Sequence, residues 1–299
     1  MRFVSSFFFA LGLLGCEPLP LGDTKPPALL TTEVSPEGRE LALHFDEPVS
    51  QARSEIDRSQ AAPLVEGARV KVELPQGLKP GTGHVWSAEV TDEGHNVTTV
   101  AGKFYAANLR PAGLRLNEIR VAGSGTHTDM VELRVEVAGS LGGWTIEAWS
   151  SPEARQRLVL PDNDVEAGDH IVIRYKPPQE TSDAAPGTRE YWQTDGKGLP
   201  GTKGLILIRQ RPDGPALDGL LYSKIPGEAR GIASAAGWPD RTEMDPSGCT
   251  ATRTWCRAEG AGAAWLVVAT GSATPGAPNK LIAWEGPPSS RAVSSKTKG

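Results

Sequence analysis

Carboxylates and imidazoles gather in one short part of this 299-residue chain: His127, Asp129 and Glu132 lie close together, with Glu118 upstream. Mixed nitrogen and oxygen ligands of this kind are a metal-binding set. Here, however, Glu132 alternates with Val131 and Leu133 and follows the glycine loop Gly123-Ser124-Gly125, so a solvated hairpin is expected. None of the five histidines has the i, i+4 spacing of a helical zinc site. Asp162, Asp164, Glu166 and Asp169 offer oxygens to calcium, but the glycine and closing glutamate of an EF-hand are missing. No serine occupies a Gly-x-Ser-x-Gly elbow, and Gly123-Ser124-Gly125 lacks the lysine and following helix of a phosphate loop. These patterns point away from an enzyme and imply neither cofactor nor metal. What is left for recognition is aromatic. Trp192, Trp238 and Trp255 fall in long segments between strands, and exposed aromatics there grip sugars or protein partners. Packing over the edge of a sandwich is their more ordinary use. Both readings stay open at this point.

The elements that must position these residues are strands. Val131, Leu133, Val135 and Val137 alternate with Glu132, Arg134 and Glu136 in a period of two, and residues 114–121 do so with a break of phase at Asn117-Glu118. The regular faces are thus expected to show charges such as Glu132, Arg134 and Glu136 to solvent. Glycine turns at Gly139-Ser140 and Gly142-Gly143 lead to a run through Trp144, Ile146, Ala148 and Trp149. Further strands are expected around Leu158–Leu160, His170–Tyr175, Leu205–Ile208 and Leu217–Tyr222, with a turn at Pro212-Asp213-Gly214. Upstream, Leu41–Phe45, Val70–Leu74 and Val85–Thr91 alternate in the same way. With 34 glycines, 25 prolines and no long amphipathic pattern, an all-β chain of two sandwich domains is predicted. Two long insertions, residues 176–201 and 223–264, interrupt the second.

The order Asn-Glu-Ile, glycine-rich loop, Val-Glu-Leu and Leu-Gly-Gly-Trp-Thr-Ile, closing on Thr274-Pro275-Gly276-Ala277-Pro278-Asn279, resembles the lamin tail domain. The resemblance covers residues 109–279 and implies an immunoglobulin-like sandwich, with Asn117, Glu118 and Glu132 holding strand ends together. Residues 28–107, with Val34–Val49 followed by Leu78-Lys79-Pro80-Gly81 and Val90–Asn96, are similar to bacterial Ig-like domains. Two consecutive immunoglobulin-like sandwiches are thereby implied.

Residues 1–15 begin with one positive charge, Arg2, and continue as an apolar run shorter than the ~20 residues that span a bilayer. They end in Leu13-Leu14-Gly15-Cys16, which looks like a bacterial lipobox, so Cys16 is expected to carry acyl chains that anchor the protein to a membrane. Residues 16–27 form a proline-rich tether, and residues 280–299 read as a disordered tail. The implied location is the extracytoplasmic face of the cell envelope. In such a compartment Cys249 and Cys256, the two cysteines left over, are expected to bond. A net charge of −5 and a pI near 5.7 disfavour nucleic acid as a partner and leave a protein or glycan. The function expected is non-catalytic binding or envelope organisation; the rival expectations are a purely structural spacer and a polysaccharide-binding accessory to a hydrolase.

Overall fold

The computed structural model describes residues 24–286 apart from residues 126, 176–181, 195–196, 239–241 and 260–263. Cys16, the apolar leader and most of the expected tail lie outside the described residues. Among the described residues the chain is all-β, 49% strand and 4% helix. No helix among the described residues is long and apolar enough to cross a membrane. Two compact units form, the first including Glu40–Leu74 and Trp86–Gly102, the second including what is described from Lys103 onward.

The first eight strands are β1 (Leu29–Val34), β2 (Glu40–Phe45), β3 (Val49–Ile56), β4 (Ser59–Ala61), β5 (Pro63–Glu66), β6 (Arg69–Glu73), β7 (Gly83–Asp92) and β8 (Val97–Tyr105). They make two four-stranded sheets, ordered β1-β2-β6-β5 and β4-β3-β7-β8. Alternation decides which side chains go inward: Trp86, Ala88 and Val90 of β7 are buried, as are Leu41, Leu43, Val70 and Val72. Gly102 lies flat on the Trp86 indole, where a β-carbon would approach to 2.8 Å.

The second unit contains β9 (Gly113–Arg120), β10 (Asp129–Val137), β11 (Gly139–Ser140), β12 (Thr145–Trp149), β13 (Arg155–Val159), β14 (Asp164–Val165), β15 (His170–Tyr175), β16 (Arg189–Gln193), β17 (Lys203–Arg209), β18 (Ala216–Ser223), helix α1 (Arg230–Ala235), β19 (Trp255–Arg257) and β20 (Trp265–Val267). A six-stranded sheet, β16-β15-β10-β9-β19-β20, and a four-stranded sheet, β13-β12-β17-β18, enclose one core. Leu116, Ile119, Val131, Leu133, Ile171 and Ile173 come to it from the first sheet; Ile146, Ala148, Ile206, Ile208 and Leu220 come from the second. The uninterrupted Leu205-Ile206-Leu207-Ile208 run reflects burial on both faces, because Leu205, Leu207 and Leu221 pack outward against Ile232 and Ala233 of α1. Glu147 points to that side too. It is fully buried and neutralised by Arg155, Arg157 and Arg209 at 3.0–3.2 Å, with the Trp149 indole N–H donating to it at 3.0 Å.

Both insertions contribute regular structure. The first supplies β16, which runs parallel to β15 with Trp192 opposite Arg174. The second supplies α1 and β19, which fills the place beside β9. Pairing also continues past Asn279: Ala283 bridges Val268, and the Trp284 N–H donates to Val267 at 2.8 Å.

Candidate functional site

The break of phase in β9 is a β-bulge. Glu132 faces Glu118 while Leu133 faces Leu116, so Asn117 is the extra residue. The bulge keeps Leu116 and Ile119 both in the core and turns Asn117 and Glu118 toward Glu132 on the opposite face. That face was expected to be solvated; instead Glu118 and Glu132 are both 0% exposed. What covers them is the chain itself. Glu118 accepts the Thr274 N–H at 3.1 Å and the Thr254 hydroxyl at 2.9 Å. Glu132 accepts the Gly276 N–H and the Asn117 amide, each at 2.5 Å, and meets His170 Nδ1 at 3.0 Å. Asn279 completes the clamp, donating to the carbonyls of Asn117 at 3.2 Å and Arg257 at 3.0 Å. The closing Thr-Pro-Gly segment is therefore held by two buried carboxylates. Gly276 must be glycine: its φ is +80°, and a β-carbon would collide with the Thr188 hydroxyl at 1.9 Å.

Two like charges without water around them are costly. Burial, reinforced by the adjacent Glu132, pushes the Glu118 carboxyl up to about 7, against the pull of the Thr274 N–H, Thr254 and Arg120.

The other end of the same face is basic. Arg120 and Arg174, both 1% exposed, converge on Asp183 at 2.8 and 2.7 Å, and Arg174 also holds Glu190 at 2.7 Å. Burial works to raise the Asp183 carboxyl, but Arg120, His127 and Arg174 outweigh it and hold it below the ordinary carboxylate range. Acidic residues thus pin the C-terminal segment and basic residues pin the 182–190 segment.

This arrangement disperses the sequence-derived metal cluster. His127 pairs with Asp183 at 2.7 Å, whereas Asp129 is buried and accepts the N–H groups of Gly123 at 2.6 Å and Leu199 at 2.9 Å. The acidic turn disperses likewise: Asp162 takes the Ser140 hydroxyl, Asp164 takes Arg110 and Asp169 takes the Glu166 N–H.

The expected disulfide between Cys249 and Cys256 is absent, and both cysteines are free and buried. Strand parity explains this. Cys249 belongs to the core between the sheets, as does Trp255, so the next residue of β19, Cys256, faces the other way, against Glu118 and Thr254. Burial pushes the Cys249 thiol up to about 12. Burial, then the Glu118 charge, drives Cys256 above its usual range. Since the thiolate is the nucleophile, iodoacetamide at pH 8 is expected to leave both cysteines of the native chain unmodified and to label both after denaturation. A cross-linked peptide in a non-reduced digest would overturn this.

The tryptophans also need correction. Trp255 is fully buried and tilted against Tyr222 with ring centroids 5.2 Å apart. Trp238 is half-buried against the cluster under α1, and Trp192 is half-buried in β16. None of the three is an exposed loop aromatic.

A polar cleft of about 270 Å³ opens beside the carboxylate clamp, walled by Gly168, Asp169, His170, Gly187, Thr188, Arg189 and Gly276 among others. Sequence reasoning missed it because its walls come from three separate segments.

Residues 112–285 match the model of a family described as the TP_1001 protein second domain. The match begins at the start of β9 and ends just after Trp284, so it takes in both sheets and the clamp. No curated protein matches the chain.

Proposed function

The chain belongs to the TP_1001 protein second-domain family, and for it we propose a non-catalytic binding or organising role at the cell envelope, with a lipid at Cys16 as the anchor. The second unit would be lamin-tail-like and the first Ig-like. One observation carries the non-catalytic reading: among the groups best suited to chemistry, Glu118 and Glu132 are buried and engaged in holding the chain's own closing segment, and Cys256 is buried beside Thr254. A sandwich braced in this way is a rigid platform. Anchoring rests on Leu13-Leu14-Gly15-Cys16, and more than one acyl chain is needed for stable attachment. Cys16→Ala is expected to abolish incorporation of a radiolabelled fatty acid and release the protein from the membrane fraction. Undiminished labelling would defeat the anchor. Capture of a specific partner from envelope extracts by the full chain would favour binding over a passive spacer.

A further inference from the structure

We propose that the cleft beside the carboxylate clamp is a subsite for one neutral sugar unit of a glycan, with His170 Nε2 as its central contact. The inference rests on the binding-module reading and gives it a ligand class. His170 stands at the start of β15 with 10% of its side chain exposed, on the same face as Glu132. Its Nδ1 lies 3.0 Å from the Glu132 carboxylate, an acceptor, so Nδ1 carries the proton and Nε2 is left for another partner. Nε2 has no protein partner among the described residues, and His170 lines the cleft. A buried carboxylate thus fixes the orientation of a ring whose second nitrogen is unused by the fold. Carboxylates fix the ring orientation of metal-binding imidazoles by the same hydrogen bond.

The remaining walls select the chemistry. Asp169 uses one carboxylate oxygen to accept the Glu166 N–H at 3.0 Å, which leaves the other as an acceptor. The Thr188 hydroxyl donates to the Ala185 carbonyl at 2.6 Å and retains lone pairs. Arg189 Nη1 is taken by the Asp164 carbonyl at 3.1 Å, and its other N–H groups remain as donors. The formal charges of Asp169 and Arg189 cancel, so the cleft has no net preference for an anion, and its lining is too polar for a hydrocarbon. Closely spaced donors and acceptors without net charge match vicinal hydroxyl groups. A volume of about 270 Å³ lies just below the ~300 Å³ at which drug-sized pockets begin and accommodates a single ring. The glycine walls at Gly168, Gly187 and Gly276 keep the space open.

The test is saturation-transfer difference NMR with the full chain in detergent micelles and four probes: glucose, N-acetylglucosamine, methyl phosphate and propionate. At least one sugar is expected to receive saturation on its ring protons with a millimolar dissociation constant, and the two anions none. His170→Asn keeps an amide donor at the Nδ1 position for Glu132 while removing Nε2, and it should weaken sugar binding about tenfold or more. Asp169→Asn, an exposed change, should weaken it independently. The proposal is overturned if neither sugar receives saturation, if methyl phosphate alone binds, or if a His170→Asn variant with unaltered thermal unfolding binds sugar as tightly as the parent. Failure of sugar binding alongside continued capture of an envelope partner would remove the subsite alone; failure of both would remove the binding reading as well.

Discussion

Trp255→Ala is expected to destabilise the second unit by about 3–5 kcal/mol, the cost of truncating a large aromatic in a close-packed core. The residue is 0% exposed and lies between the two sheets, with β19 holding it opposite Ile119 and Tyr222 against its ring at 5.2 Å. The removed indole leaves a cavity that strands on both sides cannot close. Urea unfolding followed by circular dichroism measures the effect. Trp255→Phe sharpens the test, because it keeps a ring against Tyr222 and removes an indole N–H that has no hydrogen-bond partner among the described residues; it is expected to lose much less. Trp238→Ala should also lose less, since Trp238 is only half-buried. If Trp255→Ala unfolds at the same urea concentration as the parent, Trp255 is not part of the core.

That Trp255 lies in the core was not legible in the sequence, and the reason is instructive. β19 is three residues long, too short for a period to show, and its place beside β9 depends on a partner far away in the chain. Where alternation runs longer it was readable: Val131, Leu133 and Val135 do face the core, and Trp86, Ala88 and Val90 do so in β7. Alternation tells which side a residue takes, but not what covers that side. Glu132 was therefore placed on the correct face and given the wrong environment, because residues 274–279 come back to bury it. The β3–β4 hairpin escaped notice for a local reason. Its two turn residues are Asp57 and Arg58 at φ +49° and +68°, where Asn-Gly would have signalled the turn. The cysteine pairing failed on parity, since the spacing of Cys249 and Cys256 carries no sign that one enters the core and the other the covered face.

Glu118→Gln is expected to stabilise the protein at pH 8 and to flatten its stability between pH 4.5 and 7. A carboxyl raised from 4.5 when unfolded to about 7 when folded binds its proton more tightly in the native state. Stability from this group is therefore complete below pH 4.5, falls as pH rises, and is lost through pH 7. The folded state then bears a cost of about 3 kcal/mol, which for a unit of this size is roughly 6–12 °C in thermal midpoint. Glutamine removes the charge while keeping the geometry. Its carbonyl can accept from the Thr274 N–H or the Thr254 hydroxyl, and its amide can donate toward Glu132 across the bulge. The measurement is a pair of thermal unfolding series from pH 4 to pH 9, parent against variant. Glu118 faces Glu132, Arg120, Cys256, Thr254 and Thr274, with His170 beyond Glu132; those groups remain in both proteins, so the difference between the two curves reports Glu118 together with its coupling to them. A variant that falls in parallel with the parent across that window would show that the proton is not held at Glu118. A variant destabilised at every pH would show that the carboxylate, charged, is what holds the Thr274 segment to the sheet.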